Sequence, residues 1–119
     1  MLFFEYPKCS TTQKAKKWLE EKGLTFTIRN IKEDPPKYEE LKEWYGLSGL
    51  PLKRLFNTSG VLYKSMNLKD KLPNMSEEEQ LRLLATDGML VKRPILIGKT
   101  QVLFGFKEDL WEEVVDENY

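Results

Sequence analysis

Hydrophobic residues at the start of the chain change their spacing twice. Residues 2–6 form an apolar and aromatic run that Pro7 ends, which is typical of a short strand. Over residues 11–22 the apolar positions recur at helical spacing between lysines and glutamates, and Gly23 follows where a helix commonly ends. Residues 24–31 alternate and are rich in β-branched side chains. Strand, helix and strand within about 30 residues predict a βαβ unit.

The middle third of the chain, residues 32–88, shows helical spacing and no strand pattern. One helix is predicted over residues 38–45 and ended by Gly46. A single helical stretch is predicted over residues 63–72. Residues 76–79 (SEEE) form a capping box, which opens a further helix.

The last third returns to strand patterns. Residues 95–98 and 101–104 are apolar runs on either side of a tight turn, which predicts a β-hairpin, and residues 107–115 have helical spacing. The order βαβ, helical block, ββα is the thioredoxin-like topology. We therefore predict an α/β fold in which a four-stranded mixed sheet carries a helical insertion between its halves.

The expected domain organisation follows from this order. At 119 residues the chain is long enough for one domain with its own core. We predict a single domain over residues 1–119. Its thioredoxin-like core comprises residues 1–31 and 89–119, and the helical insertion comprises residues 32–88.

Charge and composition exclude several classes of function. Lys plus Arg number 19 and Asp plus Glu number 19, so the formal net charge is zero. Direct nucleic-acid binding, which needs a basic surface, is not expected, although a local basic patch stays open. No apolar run approaches the roughly 18 residues that span a bilayer, and the first residues do not resemble a signal peptide. We expect a cytoplasmic protein without a membrane partner.

The chain has no histidine and one cysteine. Histidine acid–base catalysis, Cys-His dyads and histidine metal sites are therefore excluded, and we predict no metal site. A single cysteine cannot form an internal disulfide, and in a reducing compartment it stays a thiol.

Cys9 lies between the first predicted strand and the first predicted helix. The unpaired N–H groups at a helix N-terminus stabilise a thiolate and form an anion site, so its pKa should fall below the free value of about 8.5. Ser10, Thr11 and Thr12 offer hydroxyls that can cap the helix or bond the sulfur, with Thr11 and Thr12 favoured as caps. Lys8 adds a positive charge. We favour a reactive thiol over a buried, inert cysteine.

Four segments together carry a resemblance to a known family. They are "YPKCSTTQKAKKWLEEKG", "LKRLFNTSGVLYK", "LLATDGMLVKRPILI" and "VLFGFKE". In this order and spacing the chain resembles the arsenate reductase (ArsC)/Spx family of thioredoxin-fold proteins. It is most similar to the small arsenate reductase-like members.

The resemblance implies a set of site residues. In glutaredoxin-coupled arsenate reductases a cysteine at this position attacks arsenate, which implies Cys9 as the nucleophile. Three arginines hold the oxyanion. Two of them correspond to Arg93, directly before a Pro94 that is expected to be cis, and to Arg54. At the third position this chain has Phe106.

The resemblance also implies function and partners. It indicates a thiol-dependent oxidoreductase whose substrate is a small oxyanion such as arsenate, or a mixed disulfide. No bound cofactor is expected. An external thiol donor, glutathione with glutaredoxin or a thioredoxin, would complete the reaction.

Two alternatives remain at this stage. An Spx-like regulator would bind the α subunit of RNA polymerase, but Thr12 stands where Spx-type proteins have the second cysteine of their disulfide switch. A non-catalytic thioredoxin-fold binding module is the other alternative.

Overall fold

The computed structural model describes residues 1–117, and a four-stranded sheet of order β2-β1-β3-β4 forms its centre. Strand β1 (Leu2–Glu5) lies parallel to β2 (Thr27–Asn30) and antiparallel to β3 (Ile95–Ile97). Strand β3 pairs antiparallel with β4 (Val102–Phe104). This mixed sheet confirms the predicted α/β class, and β2 is shorter than the alternating pattern predicted.

Six α-helices surround the sheet within the described residues. They are α1 (Ser10–Glu21), α2 (Tyr38–Ser48), α3 (Val61–Ser65), α4 (Leu68–Lys71), α5 (Glu77–Leu84) and α6 (Glu108–Glu117). Short 3-10 turns lie at Leu52–Leu55, Leu72–Asn74 and Gly88–Leu90. Within residues 1–117 no helix is both long and apolar enough to cross a bilayer. Positions 118 and 119 of the predicted C-terminal part lie outside the described residues.

Two helix boundaries in the middle third differ from the prediction. Helix α2 continues through Gly46 and ends at Gly49, whose φ of 65° places it in the left-handed region where glycine is favoured. The single helix predicted over residues 63–72 is broken at Asn67, which has a φ of 53°. Asparagine tolerates this conformation better than most residues. The break lets both short helices turn buried side chains inward: Tyr63 on α3 and Leu68 on α4.

The capping box at the start of α5 is confirmed. The Glu79 amide donates to Ser76 Oγ at 3.1 Å, and the Ser76 amide donates to Glu79 Oε1 at 2.9 Å. The two bonds satisfy amide groups that would otherwise have no partner at the helix start.

The sheet separates two hydrophobic clusters. Phe3 and Phe4 are adjacent on β1 and point to opposite faces, as strand geometry requires. Phe4 packs against the helical segment, with its ring 5.4 Å from that of Trp44. Phe3 packs against α1 and α6 and has its ring 6.1 Å from that of Trp111. Because α1 is packed on the face of β1, its N-terminus is held at the end of that strand.

Candidate active site

Cys9 is the N-cap residue of α1, as the strand-to-helix position predicted. Its amide donates to the Tyr6 carbonyl at 2.9 Å, and its carbonyl accepts from the Gln13 amide at 3.1 Å. The prediction that Thr11 and Thr12 cap this helix is wrong, because both lie in its first turn and no side chain caps it. The cap position leaves the half-buried Cys9 thiol beside the free amides of α1.

The surroundings of Cys9 lower the pKa of its thiol. Burial raises this pKa, but hydrogen bonds from the Thr12 hydroxyl and from the Thr12 and Thr11 amides, together with the charge of Arg93, outweigh that effect. Thr12 is fully buried, and its Oγ1 forms no hydrogen bond with any of the described residues in this geometry. The hydroxyl is therefore free to donate to the neighbouring Cys9 sulfur when the thiol ionises, which is the direction in which Thr12 lowers the pKa of Cys9.

Replacing Thr12 with valine will raise the pKa of Cys9. The change keeps the shape of the side chain but removes the hydroxyl donor, whereas the burial that favours the neutral thiol remains. The check is the rate of iodoacetamide alkylation as a function of pH. Its midpoint should lie below that of a free cysteine in the parent protein and shift upward in Thr12→Val. An unchanged midpoint would mean that the hydroxyl does not bond the sulfur.

Arg93 lies in front of Cys9, as predicted. The Arg93–Pro94 bond is cis, which confirms a further expectation. The Arg93 guanidinium stands 5.0 Å from the centre of the Tyr6 ring and donates to Met89 Sδ at 3.1 Å. Within residues 1–117 no carboxylate forms an ion pair with it. Its charge is therefore available to an anion in the space beside Cys9.

A pocket of about 480 Å³ lies beside these groups, and we call it the Cys9 pocket. Of the predicted site residues it brings together Cys9, Thr11 and Arg93. Lys8 and Ser10 are exposed and do not line it.

Arg54 does not line the Cys9 pocket either. It lies in the 3-10 turn Leu52–Leu55, where burial of Leu52 and Leu55 directs the side chains between them outward. Arg54 instead lines a neighbouring groove. Any role of Arg54 in holding the same anion as Arg93 stays a prediction.

Three polar or charged residues of the pocket were missed by the sequence analysis: Asn57, Ser59 and Lys92. Asn57 and Ser59 belong to the polar segment NTSG, which the sequence indicates as a turn without a functional role. In the structure Ser59 Oγ donates to Asn57 Oδ1 at 3.3 Å. Lys92 directly precedes Arg93, so the pair of adjacent cations was visible in the sequence. Together they give the pocket polar and cationic groups that Arg54 does not supply.

Phe106 forms an apolar wall of the Cys9 pocket. Its ring packs against Trp18 and Trp111, with centroids 5.8 and 4.9 Å away. The position at which the resemblance implies a third arginine is therefore built into an aromatic cluster. Among residues 1–117 no three Cys, Asp or Glu side chains converge as a metal site.

Comparisons with known proteins identify the family of the chain. The model of the ArsC family matches residues 4–114. The protein YusI of Bacillus subtilis (strain 168) is 57% identical over 113 residues, which cover 95% of this chain and 96% of the relative. Global transcriptional regulator Spx 1 of Bacillus cereus is 27% identical over 106 residues, covering 89% of this chain and 79% of the relative.

Solved structures show the same similarity. An ArsC family related protein from Bacteroides fragilis superposes with a TM-score of 0.92 at 57% identity, and the match covers 95% of each chain. A Streptococcus mutans UA159 protein described as a possible arsenate reductase gives a TM-score of 0.85 at 43% identity, covering 92% of this chain and 95% of that one. With its thioredoxin-like fold and a matching family model over most of its length, the chain belongs to the ArsC family.

Proposed function

We propose that this protein is a thiol-dependent oxidoreductase in which Cys9 is the single nucleophile. The observation that carries the proposal is the half-buried Cys9 thiol at the start of α1, which has a lowered pKa. The Arg93 guanidinium lines the same pocket and forms no ion pair within residues 1–117. Lowered pKa and partial exposure are the marks of a reactive cysteine rather than a structural one.

The first chemical step is attack by the Cys9 thiolate on an oxidised centre. With a mixed disulfide, a new S–S bond forms to Cys9, the old S–S bond breaks, and the leaving sulfur departs as a thiolate. With arsenate, an S–As bond forms and one arsenate oxygen leaves as water after protonation. In both cases Arg93 neutralises the negative charge near the attacking sulfur through its planar pair of donors.

The second step needs a thiol from outside, because the chain has one cysteine. An external thiolate attacks the Cys9 sulfur. The electron pair of the broken bond returns to the departing thiolate or reduces arsenic from As(V) to As(III), which is released as arsenite. A second external thiol then frees Cys9 and leaves the donor as a disulfide. Glutathione with glutaredoxin, or a thioredoxin, is the proposed donor, and no bound cofactor takes part.

Turnover with defined donors tests this proposal. Consumption of NADPH is followed with arsenate or with a mixed disulfide of glutathione and mercaptoethanol. One assay contains thioredoxin and its reductase, and the other contains glutathione, glutaredoxin and glutathione reductase. We expect consumption above the protein-free rate in at least one combination. Rates equal to the protein-free rate in all four would overturn the proposal.

Replacing Arg93 with glutamine will raise the KM for the anionic substrate about tenfold, because one charged hydrogen bond to the anion is lost. The value of kcat should change less than KM. Arg82→Gln is the matched control, since Arg82 is an exposed arginine on α5 paired with Glu78. Equal KM values in both variants would contradict an anion-binding role for Arg93.

A transcription-associated role is the second candidate, and the similarity to Spx 1 favours it. Such a protein would bind the α subunit of RNA polymerase without needing Cys9. Retention of the purified α C-terminal domain by both the parent protein and Cys9→Ser would support this role. Failure of both to retain it would count against it.

A further inference from the structure

A second and larger cavity of about 800 Å³ adjoins the Cys9 pocket, and we call it the basic groove. Four cationic side chains line it: Lys53, Arg54, Lys92 and Lys107. Among the residues that the structure describes, no acidic side chain lines it. The concentration of one charge sign is unexpected in a chain whose formal net charge is zero.

These four cations have no ion-pair partner among the residues that the structure describes. None of them forms an ion pair with a carboxylate in residues 1–117, whereas Arg29 and Arg82 elsewhere do. Unpaired cations gathered in one concave site raise the local concentration of anions and favour their binding. The groove is therefore complementary to a ligand with more than one negative charge.

The remaining lining of the groove is largely apolar and includes Phe56, Leu103, Phe104 and Trp111. Its volume lies within the range of about 300–1,000 Å³ that is usual for small-molecule sites. An inorganic anion would leave most of this apolar surface uncovered. An organic anion with an aliphatic body and separated charges fits both the volume and the lining.

The walls of the groove are tied to the active site. The Lys92 amide donates to the Leu55 carbonyl at 2.8 Å, which joins the segment carrying Lys53 and Arg54 to the segment carrying Arg93. The Gly105 amide donates to the Pro94 carbonyl at 2.7 Å. These bonds join the backbone of the groove's walls to the segment that carries Arg93.

Lys92 and Gly105 line both cavities and form the boundary between them. Gly105 has a φ of 89°, and a Cβ at this position would lie 3.3 Å from Lys92 Cε. A side chain on Gly105 would therefore crowd Lys92 at the boundary of the two cavities. Because the cavities share these two lining residues, a ligand in the groove would lie next to the Cys9 pocket.

We propose that the basic groove binds the anionic body of a low-molecular-weight thiol that carries at least two carboxylates, and presents its sulfur to Cys9. This inference rests on the proposed function, since it assigns a site to the external thiol or its disulfide. In the step concerned, the Cys9 thiolate attacks one sulfur of the ligand's disulfide. A bond forms between Cys9 and that sulfur, the ligand's S–S bond breaks, and the second half leaves as a thiolate.

Rates of mixed-disulfide formation on Cys9 test the assignment. The probes are glutathione disulfide, which is anionic, hydroxyethyl disulfide, which is neutral, and cystamine, which is cationic. Mass spectrometry of quenched samples follows each adduct. In the parent protein the rate should saturate with glutathione disulfide and rise linearly with hydroxyethyl disulfide. The preference for glutathione disulfide should fall as ionic strength rises, and cystamine should react slowest.

Charge reversal in the groove supplies the second measurement. In Lys53→Glu and Lys107→Glu the ratio of the glutathione disulfide rate to the hydroxyethyl disulfide rate should fall about tenfold. Lys69→Glu, an exposed lysine on α4 outside both cavities, makes the same charge change and should keep the parent ratio. Because each ratio is internal to one variant, a general loss of thiol reactivity does not affect it.

The outcomes separate the two proposals. If Cys9 reacts with none of the disulfides, the proposed function fails. If it reacts with all of them, but linearly and with equal ratios in the parent, Lys53→Glu and Lys107→Glu, the groove assignment alone is overturned. Ratios that are unchanged while the purified RNA polymerase α C-terminal domain binds the parent and not Lys53→Glu would assign the groove to an acidic protein partner instead.

Discussion

Cys9→Ser will lose turnover of arsenate and mixed disulfides by about 1000-fold or more, as expected when an enzyme's nucleophile is removed. Hydrogen bonds from Thr12 and from the first amides of α1, together with the charge of Arg93, lower the pKa of the Cys9 thiol. A serine hydroxyl stays protonated in the same surroundings and cannot form a disulfide. The measurement is the coupled NADPH assay with the donor that supports the parent protein.

The fold should survive this substitution. Serine is close in size to cysteine, and the Cys9 side chain is half-buried rather than part of either hydrophobic cluster. The melting temperature of Cys9→Ser is therefore expected within a few degrees of the parent value. Residual turnover above a tenth of the parent rate in a folded variant would exclude Cys9 as the nucleophile.

Gly88→Ala will destabilise the protein by about 3 kcal/mol, the largest effect on stability that we expect from a one-carbon change. A Cβ at Gly88 would lie 1.8 Å from the Ile31 carbonyl oxygen and 2.8 Å from the Ile31 carbonyl carbon. Both atoms are backbone, and Ile31 is fully buried directly after β2. Relief requires movement of one segment, so the unfolding midpoint in urea should fall clearly.

Gly46→Ala provides the matched control with the opposite sign. Gly46 lies inside α2 and has nothing within 4 Å of the position of a Cβ. Alanine there should stabilise the protein by about 0.5–1 kcal/mol, because it reduces the conformational freedom of the unfolded chain and favours the helix. If both variants changed the free energy of unfolding equally, the close contact between Gly88 and Ile31 would be absent.

Gly46 and Gly49 show why the predicted end of helix α2 was wrong. Gly46 and Gly49 both lie near the end of α2, and the apolar pattern alone selected Gly46. The choice depends on which residue adopts a left-handed conformation, and only Gly49 does. In the same way, helical spacing over residues 63–72 could not reveal the break at Asn67, because that break depends on how α3 and α4 meet the core.

Local chemistry was sufficient for much of the fold. The apolar run before Pro7, the helical spacing before Gly23 and the capping box at Ser76 each depend on interactions within a few residues. Such interactions can be predicted from the identities of neighbouring residues. The position of Cys9 at the start of α1 and the succession of strands and helices along the chain followed from them. The cis bond before Pro94 was implied by the family resemblance instead.

The contents of the two cavities depend on contacts between distant segments. Asn57 reaches the Cys9 pocket, and Arg54 enters the basic groove, because Leu52 and Leu55 are buried and the chain turns about them. The thiol at a helix start follows from sequence, since strand, turn and helix are local. Which cations surround that thiol follows from tertiary packing, since burial of apolar neighbours decides the direction in which each charged side chain points.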